Sequence, residues 1–154
     1  MKKIVECVPN FSEGRRPEVI RAIADAIGST EGIRILHITS DPDHNRSVIT
    51  FIGPPETIAE AAFRGIAKAK QHIDLEVQRG QHPRLGATDV VPFVPVRGVT
   101  LEDCVALARL LGERVLPPDR TGSIWPMCAG ANMNCSSKKS PRTPSAHPTS
   151  APGG

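Results

Sequence analysis

Aromatic residues and long apolar runs are scarce in this 154-residue chain. Phenylalanine and tryptophan together make up 3% of the residues and tyrosine is absent, so the chain has few of the rings on which single-stranded nucleic acids stack. No segment approaches the roughly 18 consecutive apolar residues of a membrane-spanning helix. The net charge of +3 is small. The composition therefore argues against nucleic-acid and membrane partners, and we expect a cytoplasmic protein.

Several common catalytic signatures are also missing. The sequence contains no GxGxxG, no P-loop, no GxSxG and no HExxH motif. It therefore gives no indication of a nucleotide-binding site or of the common hydrolase mechanisms. The four cysteines do not follow the usual zinc spacings, and Cys7 and Cys104 fall in apolar strand and helix patterns. We therefore predict buried, reduced thiols and no bound metal.

Two metal sites would contradict this prediction. Asp41, Asp43 and Asn45 fit the first half of a calcium-binding loop, but Arg46 occupies its glycine position, which excludes that site. The second candidate is a transition-metal site formed by Asp43 and three histidines, all of which are predicted to lie in loops or strands. No pair in this set has the spacing that places two ligands on one helix face. The set is His37, His44 and His82.

The apolar residues are unevenly distributed. Residues 1–115 contain 31 Val, Ile and Leu, whereas residues 116–154 contain two of these and seven of the fifteen prolines. A segment of this composition cannot offset the entropy of ordering its backbone. We therefore expect one folded domain over 1–115 and a disordered Pro/Ser-rich tail over 116–154, such as a shifted reading frame or a truncation would produce.

Three short runs rich in β-branched residues predict strands: IVECV, IRILHI and SVITFI. Each is bounded by Pro, Gly, Asp or Asn. A fourth run, VVPFVPV, contains Pro92 and Pro95, which cannot donate ladder hydrogen bonds. We predict that this strand lies at a sheet edge and that one of its prolines interrupts the pairing.

Three other segments have the apolar spacing of helices. The first runs from Pro17 to Gly28, and the second starts after Pro54 and Pro55. The third follows Thr100, whose hydroxyl can cap the first turn, and its predicted apolar stripe consists of Leu101, Val105, Ala108 and Leu111.

The predicted order is strand-helix-strand-strand-helix-strand-helix. This is the α+β, ferredoxin-like split βαβ pattern with one additional helix. We expect a four-stranded sheet with the helices on one face. The opposite face would be exposed unless a partner covers it.

The segment RGQHPRLGATD, at 79–89, contains the main candidate for proton transfer, His82. Pro83 restricts the backbone of His82 to extended geometry, and Gly80 and Gly86 permit tight turns on either side. This favours an imidazole that is exposed at the surface over one that is buried. The ordinary pKa of histidine, about 6.5, suits acid/base work near neutrality. The alternative is a surface histidine that stabilises the loop.

Two other loops carry candidate binding residues. The guanidinium groups of Arg46 and Arg84 could each bind a substrate carboxylate. Arg46 lies in SDPDHNRS at 40–47, and the composition of this segment is also that of an ordinary hairpin turn. In VPNFSEG at 8–14, Asn10, Ser12 and Glu13 could equally cap the first helix or contact a ligand.

Three long segments resemble the formiminotransferase family, N-terminal subdomain. They are VECVPNFSEG at 5–14, SDPDHNRSVITFIGPPE at 40–56 and GQHPRLGATDVVPFVPVRGVTLEDC at 80–104. The resemblance spans about residues 1–115. It implies transfer of a formimino group from N-formimino-L-glutamate to tetrahydrofolate in histidine degradation, with formiminoglycine as an alternative donor.

The resemblance also implies residue roles. The histidine of the HPR motif, His82, is expected to be the catalytic acid/base, and Asn10, Arg46 and Arg84 are expected to bind substrate. Tetrahydrofolate is the expected co-substrate. Family members continue into a second subdomain that residues 116–154 do not resemble. The alternative is therefore a non-catalytic binding or regulatory fragment that dimerises or docks on a full-length relative.

Overall fold

The computed structural model describes residues 2–77 and 86–116. In this part of the chain three helices pack on one face of an antiparallel sheet, and every paired strand runs antiparallel to its neighbour. The elements in chain order are β1 (Ile4–Cys7), β2 (Asn10–Phe11), α1 (Pro17–Gly28), β3 (Arg34–Asp41), β4 (Arg46–Gly53), α2 (Pro55–His72), β5 (Thr88–Val90), β6 (Phe93–Arg97) and α3 (Leu101–Val115).

Two of the four predicted strands are each broken into two segments. β1 and β2 lie end to end along the same edge of β4, and β6 and β5 lie end to end beside them. Pro92 lies between β5 and β6, where it interrupts the pairing as expected, while Pro95 lies within β6. The Pro9 carbonyl accepts a hydrogen bond from the Ile49 N–H at 3.2 Å, so the first break does not separate the strands.

The spatial order is β3, β4, then the line of β1 and β2, then the line of β6 and β5. This is the strand order of the ferredoxin-like split βαβ fold, and it confirms the predicted fold class. The proline-containing strand lies at one edge, where residues without an N–H donor are tolerated best.

The helix-covered face holds the core. Along β4, Ile49 and Phe51 are fully buried while Val48, Thr50 and Ile52 are only partly covered, which is the alternation of a sheet packed on one side. In α3 the buried stripe is centred on Cys104 and Ala108. Ala108 and Leu111 of the predicted stripe are buried, which confirms that part of it. The prediction was wrong for Leu101, because the rotation of the helix leaves this residue 43% exposed.

The other face, here called the open face, carries the alternate residues of the strands. In the described part of the chain no helix covers it, and several large apolar side chains are exposed on or beside it. These include Leu36 at 48%, Val94 at 39% and Val96 at 55%. The expectation of an uncovered face therefore holds for residues 2–77 and 86–116.

The thiols of Cys7 and Cys104 are buried and unpaired with one another, as predicted. Burial raises the pKa of the Cys7 thiol well above its ordinary value. Cys128, Cys135 and the rest of the predicted tail from 117 onward lie outside the described residues. Within the described part, no helix is long and apolar enough to cross a membrane.

Candidate functional site

The turn between β3 and β4 is organised by the carboxylate of Asp41. Its Oδ1 accepts hydrogen bonds from the backbone N–H groups of Asp43 at 2.9 Å and His44 at 3.1 Å. Its Oδ2 lies 2.6 Å from His44 Nδ1. These contacts, led by the backbone N–H of His44 and then its side chain, lower the pKa of the Asp41 carboxyl. Asp41 is therefore a carboxylate that holds an imidazole.

The same turn is joined to the loop that precedes α1. Asn45 adopts a positive φ of 50° and is buried, and its side-chain oxygen accepts the Gly14 backbone N–H at 2.8 Å. A Cβ on Gly14 would collide with the carbonyl oxygen of Asp41 and with the backbone of Arg46. Only glycine permits this approach, so the two loops that the sequence singled out form one unit.

Asn10 and Arg46, two of the predicted substrate-binding residues, lie on the open face. Asn10 pairs with Val48 across the ladder, and Val48 pairs with Thr39 on its other side. Directly paired residues share a face, and Arg46 is two residues from Val48 along β4, so it shares that face too. Arg46 in turn pairs with Asp41. The Asn10 side-chain N–H donates to the Val8 carbonyl at 3.1 Å.

A pocket of about 330 Å³ lies at this end of the open face. It brings together a guanidinium, a carboxylate, an imidazole and a hydroxyl within one concave surface, which is the chemical variety that recognition of a small polar molecule needs. Its lining residues are Thr39, Ser40, Asp41, His44, Arg46 and Val48.

The predicted catalytic His82 and the predicted binding residue Arg84 lie outside the described residues. The chain resumes at Gly86, which is held firmly beside β2. The Ser12 hydroxyl donates to the Gly86 carbonyl at 2.7 Å, and the Gly86 N–H donates to Asp89 Oδ1 at 3.2 Å. Ser12 and Asp89 are both buried, so Gly86 is held beside β2.

Glu13 resolves one of the alternatives left open by the sequence. Its carboxylate is fully buried and accepts the backbone N–H groups of Arg15 at 2.9 Å and Arg16 at 3.0 Å, just before α1. It also accepts the Nε–H of Arg16 at 2.6 Å. Glu13 therefore stabilises the start of the helix, whereas Ser12 ties β2 to Gly86, and Asn10 faces the open side of the sheet.

Between residues 2 and 77 and between 86 and 116, no three His, Cys, Asp or Glu side chains are grouped to hold a metal ion. His37 and His44 both lie in the β3–β4 hairpin, but the third histidine of the weighed metal set, His82, falls outside these ranges. The absence of metal stays a prediction.

His44 is the site residue that sequence reasoning undervalued, because it was treated only as part of a turn or as a metal ligand. The local signal was present: aspartate at the start of a turn commonly accepts the N–H two or three residues later, and here the third residue is a histidine. What no local pattern could indicate is that this pair opens onto the same pocket as Arg46.

Known proteins are similar to most of the described part of this chain. A family model described as the formiminotransferase domain, N-terminal subdomain, matches residues 4–119. Glutamate formimidoyltransferase of Thermoplasma acidophilum is 53% identical over 112 residues, which are 73% of this chain and 37% of that protein. The glutamate formimidoyltransferase of Streptococcus pyogenes serotype M1 is 45% identical over 115 residues, 75% of this chain and 38% of that protein.

A two-function relative matches the same part of the chain. Formimidoyltransferase-cyclodeaminase of Mus musculus is 50% identical over 115 residues, which are 75% of this chain and 21% of that protein. The chain thus spans well under half the length of the curated relatives it matches. Since the family model covers more than half of the chain, the chain belongs to the formiminotransferase family and corresponds to its N-terminal subdomain.

Proposed function

We propose that this chain binds the formimino donor in a transfer from N-formimino-L-glutamate to tetrahydrofolate. The observation that carries the proposal is the pocket at the end of the open face, with Arg46 in its wall and Asn10 on the same face nearby. Relatives named glutamate formimidoyltransferase are 53% and 45% identical to this chain over the aligned residues. The donor has carboxylates, for which arginine is the natural partner.

The binding roles follow from side-chain chemistry. The guanidinium groups of Arg46 and Arg84 each supply two parallel N–H donors for a carboxylate of the donor. The Asn10 amide supplies both a donor and an acceptor. N-formimino-L-glutamate carries two carboxylates and formiminoglycine only one, so two arginines favour the glutamate donor over the glycine donor.

His82 is proposed as the acid/base. The N5 amine of tetrahydrofolate attacks the formimino carbon and forms a carbon–nitrogen bond, and the attacking nitrogen loses a proton to the imidazole. The bond from that carbon to the glutamate nitrogen then breaks, and the imidazolium returns the proton to the departing amine. The products are 5-formiminotetrahydrofolate and L-glutamate. The family model of the formiminotransferase domain, N-terminal subdomain, covers the segment that contains His82, which supports this assignment.

The acid/base assignment is tested with His82→Ala in the full chain, measuring 5-formiminotetrahydrofolate by its absorbance. We expect the variant to lose about 10²- to 10⁴-fold in rate. His147→Ala, outside the family-matched segment, is the matched control and should keep the rate. A His82→Ala variant as fast as the wild type would overturn the role of His82.

The carboxylate contact is tested with Arg46→Met. The control is Arg34→Met, because Arg34 lies on β3 and pairs with Ile52, near the opposite end of β4 from Arg46. Arg46→Met should weaken binding of N-formimino-L-glutamate by about tenfold or more, since a charge-assisted hydrogen bond is lost, and Arg34→Met should not. Equal affinities for all three proteins would remove Arg46 from the site.

A second function is favoured by the open face itself. Its exposed apolar side chains, with Val96 the most exposed at 55%, suit a surface that associates with a second copy or with a full-length relative. A chain that forms a concentration-dependent dimer in sedimentation equilibrium and makes no 5-formiminotetrahydrofolate would favour this non-catalytic role. In that case Val96→Lys should abolish the dimer. A monomer with transferase activity would favour the enzyme.

A further inference from the structure

The Asp41–His44 pair contributes a nitrogen hydrogen-bond acceptor to the pocket, which Arg46 cannot supply. A guanidinium offers only N–H donors, so it can bind oxygen atoms of a ligand but no N–H group. His44 lines the same pocket, and its side chain is 49% exposed. In its neutral form, an imidazole held in one orientation places a nitrogen acceptor in the same wall as the N–H donors of Arg46.

The orientation of the ring defines which nitrogen is the acceptor. The Asp41 carboxylate can only accept, so the nitrogen 2.6 Å away, Nδ1, carries the hydrogen. In the neutral ring Nε2 then has a bare lone pair on the opposite side. Among residues 2–77 and 86–116, the only hydrogen bond of the His44 ring is the one to Asp41. Nε2 is therefore available to a ligand.

We infer that His44 is a specificity-determining residue whose Nε2 accepts a hydrogen bond from an N–H of the formimino group while Arg46 binds a carboxylate of the same donor. The inference rests on the proposed function and refines it at one atom. The donor has N–H groups and a carboxylate on neighbouring atoms, which matches an acceptor and a donor within one pocket of about 330 Å³. Asp41 acts as a positioning residue, because it contacts the imidazole and fixes its tautomer.

The competing explanation is that the pair only stabilises the β3–β4 turn. Two substitutions separate these roles, because asparagine places its amide near the position of Nδ1 and glutamine places its amide near that of Nε2. His44→Asn keeps a donor for Asp41 and removes the group at Nε2. His44→Gln keeps a polar group at Nε2 and gives up the bond to Asp41.

The experiment measures ligand affinity by titration calorimetry on the full chain, with N-formimino-L-glutamate and N-formyl-L-glutamate as the two probes. In the formyl compound an oxygen replaces the terminal nitrogen, so that position accepts instead of donating. We expect His44→Asn to weaken formimino binding by about tenfold and formyl binding by less than about twofold. His44→Gln should recover part of the loss. The ¹⁵N resonance of Nε2 should shift on adding the formimino compound.

Each other result has a definite meaning. Wild-type affinity in His44→Asn, or an equal loss for both probes, overturns the role of His44 and leaves the proposed function standing. A wild-type chain that binds neither probe overturns the proposed function, and the role of His44 with it. Urea unfolding of both variants shows whether the fold is intact, and the Nε2 resonance reports the contact in the unsubstituted protein.

Discussion

Gly14 and Asn45 show how single residues join the two loops of the candidate site. Asn45 occupies a left-handed backbone conformation that asparagine tolerates better than most residues, and its side chain receives the Gly14 N–H. Gly14 has no Cβ to collide with the Asp41 carbonyl. The position of Arg46 in the pocket wall therefore depends on a residue with no side chain.

Replacing Gly14 with alanine should destabilise the fold by about 1–3 kcal/mol, because the new methyl group meets backbone atoms that cannot rotate away. Urea unfolding followed by circular dichroism measures the change. Gly112→Ala is the matched control: a Cβ there meets nothing within 4 Å, and a helix interior gains up to about 1 kcal/mol from alanine. If both variants had equal stability, the close approach at Gly14 would be disproved.

Among the elements, α3 shows how far local sequence determines a helix. Thr100 accepts the Asp103 backbone N–H at 3.2 Å, and Asp103 accepts the Thr100 backbone N–H at 2.9 Å, which completes a capping box. Thr100 was predicted as a cap from the sequence because capping needs only residues within one turn. The rotation of the helix was not predictable, because contacts with α2 and β6 decide it.

Thr100→Ala should lower the free energy of unfolding by about 1 kcal/mol, the usual effect of removing a capping hydroxyl. Thr100→Ser keeps the hydroxyl and should retain most of the stability. Denaturant titrations of the three proteins give the comparison. If serine and alanine were equally destabilising, the loss would come from the threonine methyl group and the capping role would be wrong.

The cap also gives a pH dependence. Hydrogen bonds from Thr100, first from its backbone N–H and then from its side chain, lower the pKa of the Asp103 carboxyl. A carboxyl with a lowered folded pKa stabilises the fold above its unfolded pKa, and this contribution is lost as pH falls through the folded value. In Thr100→Ala the Asp103 resonance should titrate at higher pH, as NMR can measure.

The whole molecule is a sheet covered on one side. The helices bury Val5, Cys7, Ile49, Phe51 and Phe93 on their side of the sheet. The opposite side holds the pocket at one end and the exposed apolar residues Val94 and Val96 of β6. One face of the sheet therefore carries the core, and the other carries the candidate site.

Neighbouring residues on β4 should therefore respond very differently to truncation. Phe51→Ala should cost about 3–5 kcal/mol, because Phe51 is fully buried against the helices. Ile52→Ala, on the open face, should cost less than about 1 kcal/mol. Unfolding midpoints of the two variants, at the same protein concentration, test this. A similar loss for Ile52→Ala would mean that something covers the open face in solution.

The sequence by itself determined the features that depend on neighbouring residues. These are the helix from Pro17 to Gly28, the cap at Thr100, and an edge strand interrupted at one of its two prolines. Propensity, capping and missing N–H donors act within a few residues, so local sequence is sufficient for them. The family resemblance also came from the sequence, through three long motifs.

Only the tertiary structure decided that Asn10 and Arg46 share a face and that His44 opens onto the same pocket as Arg46. These facts depend on strand register, and a slip of one residue would move every side chain of a strand to the opposite face. Register is set by the core residues packing against α1, α2 and α3, far away in sequence. A local pattern can therefore name the candidate residues, while the packing of the whole fold brings them together.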